Sequence, residues 1–404
     1  MQDVIIDNLS LLEDIRHFHL NAMNALLPVY RRSDITIERG EGVYLYAPDG
    51  TRYLDFASGI AVNALGHSHP HLVKALTKQA AKLWHVSNMY STPELLRFAD
   101  RLVAATFADK IFFCNSGSEA VEAGIKMVRK FSQQRNRIIT FEGGFHGRTL
   151  ACISAGGNAI AREGYAPLLD GFDCVEFNNL AAVEAAITKQ TAGILVEAIQ
   201  GEGGVRVASP EFLRGLRVLA DQHGLLLMID EVQAGMGRTG KLFAFEHAGI
   251  VPDIVTVAKG IGNGFPLAAT LTTDKVAAVM SPGTHGSTYG ANPLAMAVGN
   301  AVLDVMFEVG FLAQVEKIGA ELRAGLEHLQ QRFPKVIEEV RGRGLLLGLK
   351  MAVPHHVFVE RLRAAGLLTS PAQENVIRII PPLIIDSAQV AEGLAILAKI
   401  CEES

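Results

Sequence analysis

Two ionisable residues directly follow segments that have the composition of buried strands. Asp230 follows the apolar residues 225–229, and Lys259 follows the apolar residues 254–258. Both segments are apolar without alternation, which is typical of strands buried on both faces of a mostly parallel sheet. Ligands of such sheets bind at the carboxyl ends of the strands. An aspartate and a lysine at that edge therefore need partners, since an unpaired charge is costly to bury.

A lysine and an aspartate at two such strand ends are the pair that pyridoxal phosphate requires. The lysine amine can bond to the cofactor as an imine, and the aspartate can keep the pyridine nitrogen protonated so that the ring withdraws electrons. Each residue also has an ordinary structural interpretation. Asp230 is equally compatible with a helix cap or a salt bridge, and Lys259 with a lysine that is simply paired.

A third segment has the features of an anion site. The apolar residues 111–114 lead into Ser116, Gly117 and Ser118. The backbone N–H groups of Gly117 and Ser118 and the Ser118 hydroxyl would lie at a helix N-terminus, which attracts phosphate. Ser116 and Glu119 also have the spacing of a capping box, and on this segment alone the capping interpretation is favoured.

Composition and charge exclude several classes of protein. The chain has 404 residues, of which 49% are hydrophobic and 20% charged, so it is neither disordered nor fibrous. A net charge of −5 leaves no basic excess for nucleic acid or an anionic membrane. The four cysteines form no CxxC pair. The N-terminal segment carries Asp3 and Asp7, and such acidic residues are not typical of a signal or transit peptide. We expect a cytoplasmic protein without a nucleic-acid or membrane partner.

Two motifs point to other chemistry but lack the required context. Residues 235–240 match GxGxxG, and with Lys241 they match the start of a P-loop. However, Leu242 stands where a magnesium-binding Ser or Thr belongs, and the glycines lie five residues beyond the strand end. A nicotinamide-dependent oxidoreductase is retained as the alternative from a different class. The histidines at 67, 69 and 71 have no accompanying carboxylate or cysteine cluster, so no metal site is predicted.

The pattern along the chain predicts an α/β fold with a mostly parallel, doubly wound sheet in a large domain, plus a smaller α+β domain. A hairpin is predicted at residues 41–56. The large domain has strands at 111–114, 137–141, 193–196, 225–229 and 254–258, with helices at 119–131 and 210–223. The smaller domain has helices at 293–307, 312–333 and from 387, with strands at 344–349 and 376–380. Predicted boundaries are an N-terminal arm and joining segment at 1–69, a cofactor-binding domain at 70–295 and a small domain at 296–404.

Ordered motifs identify the family that the chain resembles. From about residue 29 onward it is similar to the class III pyridoxal-phosphate aminotransferases, whose fold is the transferase fold type I. The motifs that carry the resemblance lie at residues 55–67, 143–149, 200–204, 230–235, 258–260, 285–290 and 378–383. Within the class, residues 58–65 and 83–88 most resemble the acetylornithine aminotransferases. Ala198 departs from the pattern, because a proline usually follows the strand acid Glu197.

The resemblance implies a role for each cofactor residue. Lys259 would hold pyridoxal phosphate and serve as the base for proton transfer, and Asp230 would pair with the pyridinium nitrogen. Contacts to the ring and phosphate would come from Gln233 on the ring hydroxyl, Phe145 on the ring face, and Gly117 and Ser118 on the phosphate. Thr288 matches a phosphate contact from the neighbouring subunit, which implies a homodimer with shared active sites.

The resemblance also implies how substrates are recognised. Arg148 would bind a substrate carboxylate, and Arg378 would bind a second one in glutamate, since guanidinium suits bidentate carboxylate recognition. Glu202 would pair with Arg378 when the donor has no carboxylate there. Tyr30, Ile60 and Ser287 are the remaining predicted substrate residues. Ornithine aminotransferases carry a tyrosine where Ile60 stands, so the smaller residue would leave room for an N-acyl group.

The expected reaction moves the terminal amino group of N-acetylornithine to 2-oxoglutarate. Its products would be N-acetylglutamate semialdehyde and glutamate, a step of arginine biosynthesis. Other expected donors within the class are succinylornithine, succinyldiaminopimelate, ornithine and 4-aminobutyrate.

Overall fold

The computed structural model describes residues 25–404. The prediction of a helix-prone arm therefore lies mostly outside the described residues, and residues 25–30 consist of turns and bends. The centre of the fold is a seven-stranded sheet. Its strands, in spatial order, are Lys110–Cys114, Ala268–Thr272, Ile254–Val257, Leu226–Asp230, Thr191–Glu197, Arg137–Phe141 and Phe172–Val175.

The central sheet is mostly parallel, as predicted. Ala268–Thr272 is antiparallel to both of its neighbours, whereas the pairs from Ile254–Val257 through Phe172–Val175 are parallel. All five predicted strands are present. Ala268–Thr272 and the edge strand Phe172–Val175 were not predicted. The first is rich in alanine and threonine rather than large apolar residues, so its composition carries little strand signal.

Both faces of the central sheet are buried. In Thr191–Glu197, Ile194 and Val196 pack into one hydrophobic cluster, and Leu195 packs into the other. This alternation between two apolar layers explains why the strand reads as a continuous apolar run. The helices around the sheet and along the chain before residue 310 are Pro70–Ala80, Pro93–Ala105, Gly117–Ser132, Leu150–Ala155, Ala159–Arg162, Leu180–Ala186, Pro210–His223, Asp274–Ala277 and Pro293–Met306.

The C-terminal part contains an antiparallel four-stranded sheet. Its strands, in spatial order, are Ile337–Arg343, Leu346–Met351, Val376–Ile379 and Ser370–Ala372. Three helices accompany it: Phe311–Arg332, His355–Ala364 and Ser387–Glu402. Strand Val376–Ile379 and the helix that begins at Ser387 match their predicted positions, whereas Ile337–Arg343 was missed because Glu and Arg interrupt its apolar pattern.

A second four-stranded sheet joins the N-terminal hairpin to the C-terminal part. The predicted hairpin is confirmed by Tyr44–Tyr46 and Arg52–Asp55, which are antiparallel, with Tyr44 opposite Leu54. Arg39–Glu41 lies on one side, and the late strand Leu367–Leu368 pairs in parallel with Arg52–Asp55 on the other. The domain boundaries at 69 and 295 remain predictions.

The turn after this hairpin has an unusual backbone. Ser58, Gly59, Ile60 and Ala61 all have positive φ, at 41°, 63°, 64° and 63°. A left-handed conformation costs an L-residue about 1–2 kcal/mol. Three of these four residues carry a side chain, so neighbouring groups must hold the turn in place.

Short elements complete the description. A two-stranded ribbon joins Ile199–Gln200 to Arg206–Val207, and 3-10 helices span Ala244–Ala248 and Lys259–Ile261. Among residues 25–404, no single helix is long and apolar enough to cross a membrane. The helices Pro293–Met306 and Phe311–Arg332 reach that length and apolar composition only when taken together, and they are bent by 71° relative to each other.

Candidate active site

A cavity of about 380 Å³ lies at the carboxyl edge of the central sheet. Most of the predicted cofactor residues line it, together with one predicted substrate residue: Gly117, Ser118, Phe145, Arg148, Asp230 and Lys259. Val62, Val232 and Pro266 contribute apolar surface. The structure therefore brings together predicted residues that are up to 142 positions apart in the chain, such as Gly117 and Lys259.

Lys259 lies at the end of strand Ile254–Val257 and begins a 3-10 helix with φ of 51°. The pKa of its amine is lowered from 10.5 to about 8, chiefly by burial; the Glu202 carboxylate opposes this shift, and the Arg378 charge adds to it. An amine with a pKa near 8 is partly unprotonated at neutral pH. It can therefore act as a nucleophile and as a base.

Asp230 is held in one orientation by two hydrogen bonds. Its Oδ2 lies 2.8 Å from Nδ1 of His146, and its Oδ1 accepts the Val232 N–H at 3.0 Å. Asp230 and His146 are both buried. A fixed carboxylate can stabilise a cation in the cavity without first reorganising. His146 was missed as a site residue, and its only sequence signal was its place in the motif at 143–149.

Glu197 is a second buried carboxyl group beside Asp230. The two residues are directly opposite each other on adjacent parallel strands. Oε2 of Glu197 accepts the Phe145 N–H at 3.0 Å. Burial, followed by the charge of Asp230, raises the pKa of Glu197 well above its ordinary value. The protonated form of Glu197 is therefore favoured in the folded protein, where the group also holds the backbone of Phe145.

Replacing Glu197 by glutamine should change the pH dependence of stability. Because the pKa of Glu197 is raised in the folded state, its favourable contribution to the free energy of unfolding is complete below pH 4.5 and is lost as the pH rises. The glutamine variant cannot ionise, so its melting temperature should gain on that of the unsubstituted protein as the pH rises above 4.5. Glu163→Gln, at an exposed carboxylate, is the matched control. A difference in melting temperature that does not vary with pH would contradict the raised pKa of Glu197.

The start of helix Gly117–Ser132 combines a cap with an anion site. The Ser116 Oγ accepts the Glu119 N–H at 3.3 Å, which confirms the cap. The Glu119 carboxylate reaches the Asn115 N–H at 3.0 Å, one residue earlier than in a standard capping box. The first N–H groups of a helix have no partners within it, so those of Gly117 and Ser118 are available to a phosphate in the cavity.

Glycine at 147 allows the phosphate loop and the arginine loop to meet. The Ser118 Oγ accepts the Arg148 N–H at 3.2 Å. A Cβ on Gly147 would lie 2.2 Å from that Oγ, and its φ is 129°. Any side chain at 147 would therefore separate Ser118 from Arg148. The Arg148 guanidinium is exposed and lies 5.2 Å from the Phe145 ring centroid, at the mouth of the cavity.

Arg378 forms a buried polar cluster next to the cavity. Its guanidinium donates to Glu202, to Gln233 Oε1 at 3.2 Å and to Ser370 Oγ at 2.9 Å. Arg378 is 1% exposed, whereas Glu202 is half-buried. A Cβ on Gly201 would lie only 1.9 Å from Gln233 Oε1, so glycine is required beside this cluster. The predicted pairing of Glu202 with Arg378 is present in the structure.

The other predicted residues lie outside the cavity lining. Tyr30 and Thr288 are exposed, and Ile60 is 38% exposed on the left-handed turn that precedes Val62. Ser287 accepts a hydrogen bond from Asn115 Nδ2 at 3.1 Å. Ser287 therefore contacts the phosphate loop within the same chain.

The motif at 235–240 has a structural role. Arg238 is buried and donates to the carbonyls of Leu345, at 3.2 Å, and Pro381. The segment leads into the 3-10 helix Ala244–Ala248 rather than the α-helix of a nucleotide site. Of the three histidines, His67 pairs with Asp55 and His71 with Asp304, each at 2.8 Å. Within residues 25–404, no group of three or more His, Cys, Asp or Glu side chains could hold a metal ion.

Comparison with known proteins identifies the family. The sequence profile described as aminotransferase class-III matches residues 28–401. The chain belongs to the class III aminotransferases. This aminotransferase is 55% identical to the acetylornithine aminotransferase of Agrobacterium fabrum over 375 residues, which are 92% of this chain and 94% of the relative. It is 45% identical to the succinylornithine transaminase of Yersinia enterocolitica over 393 residues, 94% of this chain and 95% of that one.

A solved structure supports the same assignment. The N-acetylornithine aminotransferase of Stenotrophomonas maltophilia superposes with a TM-score of 0.81 at 40% identity, covering 93% of this chain and 97% of that chain. The predicted fold type and the dependence on pyridoxal phosphate are thereby confirmed. The alternative of a nicotinamide-dependent oxidoreductase is wrong.

The residues of the cavity fit the cofactor of the family. Pyridoxal phosphate needs an amine, an anion partner for its ring nitrogen, an apolar surface for its ring and an anion site for its phosphate. The cavity offers Lys259, the fixed Asp230, Phe145 with Val232, and the N-terminus of helix Gly117–Ser132.

Proposed function

We propose that this aminotransferase moves the terminal amino group of N2-acetyl-L-ornithine to 2-oxoglutarate, giving N-acetyl-L-glutamate 5-semialdehyde and L-glutamate in arginine biosynthesis. The observation that carries the proposal is the buried pairing of Arg378 with Glu202 beside Lys259. While the two side chains are paired, they present a neutral surface to one substrate. When Glu202 moves away, Arg378 presents a free guanidinium to the other substrate. The name of the 55% identical relative supports the choice of donor.

Arg148 is the proposed partner of the donor's carboxylate. It is exposed at the mouth of the cavity, so a bound carboxylate can reach both arms of its guanidinium. The terminal amine of the donor then points inward to Lys259. Ile60 is proposed to border the acyl group, since a side chain without an aromatic ring leaves more space there.

Glutamate and 2-oxoglutarate carry a second carboxylate, and Arg378 is its proposed partner. Binding requires Glu202 to leave the guanidinium, and Glu202 can do so because it is only half-buried. Arg378 itself stays in place through Ser370, Gln233 and the carbonyl of Pro371. The exchange of one partner for another lets a single pocket accept two unlike substrates.

The chain's own groups then perform the proton transfers. When bound, pyridoxal phosphate supplies an electron sink for the carbon that carries the amine. Lys259 would remove the proton from that carbon and deliver it to the cofactor, and the reverse transfer would place a proton on the 2-oxo acid, because its amine has a pKa near 8 and is free once the substrate is bound. Asp230, oriented by His146, keeps a negative charge at the ring nitrogen.

The experiment that tests the function compares amine donors. The kcat/KM values for acetylornithine, succinylornithine, ornithine, succinyldiaminopimelate and 4-aminobutyrate are measured with 2-oxoglutarate as acceptor. We expect acetylornithine to be the best donor, with ornithine at least about tenfold poorer. Ornithine or 4-aminobutyrate as the best donor would overturn the proposal. Succinylornithine is the second candidate, and the 45% identical Yersinia relative favours it.

The proposed assembly is a homodimer with shared active sites. Several large apolar side chains are exposed on the single chain, and a partner subunit would cover them: Trp84, Met89, Tyr90 and Tyr289. Thr288 directly precedes Tyr289 and is also exposed. We propose that it contacts the cofactor phosphate in the partner's active site.

Mixed dimers should test the sharing of active sites. A dimer of a Lys259→Ala subunit and a Thr288→Val subunit contains one site with both native residues, if Thr288 serves the partner. Mixing the two variants should therefore restore activity and tight cofactor binding in up to half of the sites. If Thr288 serves its own chain, every site lacks one residue and mixing restores nothing.

The location and the domain division are also proposals. The enzyme is proposed to be cytoplasmic, and its net charge of −5 leaves no basic excess for nucleic-acid or membrane partners. Pairing of Arg52–Asp55 with Leu367–Leu368 supports an N-terminal segment that joins the small domain.

A further inference from the structure

The left-handed turn at residues 58–61 is held by a network of hydrogen bonds. The Asp55 Oδ1 accepts the N–H groups of Ala57 and Ser58 at 2.9 and 2.8 Å. The Asp55 Oδ2 lies 2.8 Å from Nε2 of His67. The backbone before the turn is therefore fixed by a buried carboxylate. Such support is needed, because isoleucine and alanine disfavour the positive φ that Ile60 and Ala61 adopt.

Ser58 connects this turn to the strand that carries Arg378. The fully buried Ser58 hydroxyl donates to the carbonyl of Ile380 at 2.6 Å. Ile380 follows Arg378 by two residues, and its N–H donates to the carbonyl of Phe56 at 2.8 Å. The turn and the end of strand Val376–Ile379 are thus joined by one side-chain and one backbone hydrogen bond.

The turn determines where Ile60 lies relative to the cavity. Val62, directly after the turn, lines the cavity beside Lys259. The Val62 and Asn63 N–H groups both donate to the Ser58 carbonyl, at 2.8 and 2.9 Å, so the backbone that follows Ile60 is hydrogen-bonded back to Ser58. A change at Ser58 is therefore transmitted to Ile60 through the backbone of the turn.

We propose that Ser58 is a positioning residue for donor specificity: its bond to the Ile380 carbonyl holds the strained turn so that Ile60 limits the space beside the donor. This inference rests on the proposed function, since it assigns the same pocket. Ser58 itself touches neither substrate nor cofactor. Its effect is indirect and passes through Ile60.

The experiment measures donor preference as the ratio of kcat/KM for acetylornithine to kcat/KM for ornithine. Ser58→Ala removes the hydroxyl, and we expect the ratio to fall about tenfold while glutamate turnover changes little. Ser68→Ala makes the same change at an exposed residue with φ of 50° and should leave the ratio unchanged. A purely structural role would lower both kcat/KM values by the same factor and overturn the proposal.

A double-mutant cycle tests whether Ser58 acts through Ile60. In an Ile60→Ala background, the additional Ser58→Ala change should leave the ratio where it is. An equal fall in both backgrounds would overturn the proposal. Ser58→Gly serves as a second variant if Ser58→Ala fails to fold, because glycine adopts positive φ readily and also lacks the hydroxyl.

The result can be separated from a failure of the proposed function. If the unsubstituted enzyme prefers a donor other than acetylornithine, the proposed function fails. The Ser58 variants are then compared by the ratio of kcat/KM for that best donor to kcat/KM for ornithine. If ornithine is itself the best donor, acetylornithine takes the second place in the ratio. A ratio that is unchanged by Ser58→Ala would overturn the role of Ser58 whichever donor is best.

Discussion

Replacing Lys259 by alanine is expected to lower kcat by at least about 10⁴-fold, the largest effect of any single substitution in this enzyme. The variant loses both the amine that bonds covalently to the cofactor and the base for proton transfer. The visible absorbance of the covalently bound cofactor should disappear as well. Spectroscopy of the purified variant after incubation with pyridoxal phosphate measures this directly.

Lys241→Ala is the matched control. Lys241 follows the glycine-rich segment 235–240 and is exposed, and it lies outside the residues that line the cavity. We expect the control to retain both the absorbance band and activity. Persistence of the band in Lys259→Ala would show that another amine holds the cofactor and would refute the assignment.

Replacing Arg378 by alanine is expected to separate the two half-reactions. The variant loses a bidentate interaction with the second carboxylate of glutamate, and each charge-assisted hydrogen bond contributes about 1.5–3 kcal/mol. The kcat/KM for glutamate should therefore fall about 10²–10³-fold, and that for acetylornithine much less. Single-turnover kinetics of each half-reaction, followed through the cofactor absorbance, provide the measurement.

Two companion variants sharpen this result. Arg148→Ala should weaken both half-reactions, because in the proposed binding mode both substrates place a carboxylate at the mouth of the cavity. Glu202→Gln should weaken the donor half-reaction more than the glutamate one, since it removes the charge that neutralises Arg378. Equal losses in the two half-reactions of Arg378→Ala would exclude the exchange of partners at that guanidinium.

Strands and helices could be predicted where their burial produces a recognisable pattern of apolar residues in the sequence. Strands such as Arg137–Phe141 were found because both faces are buried, and helix Pro210–His223 because its apolar face repeats with helical spacing. Ala268–Thr272 is just as buried, but its small side chains leave no strong pattern. Its strand conformation results from pairing with Phe112 and Val255, which are distant in the chain.

Site residues could be predicted where the residue type and its position in the sequence together imply a chemical role. Lys259 and Asp230 met that condition, because together they match the pair that pyridoxal phosphate requires. His146 and Glu197 did not, because their roles depend on contacts to Asp230 and Phe145 across 84 and 52 residues. The motif at 235–240 shows the converse: its pattern is shared with nucleotide sites, but Arg238 ties the chain to Pro381.

The glycines in the walls of the site define where laboratory evolution of this enzyme can succeed. Libraries that randomise Gly147 or Gly201 would consist largely of inactive proteins, since even a methyl group there displaces Ser118 or Gln233. Broader donor scope must instead come from positions where the side chain can change without such a clash. Ile60 is the most direct choice, and glycine or asparagine would also relieve its backbone.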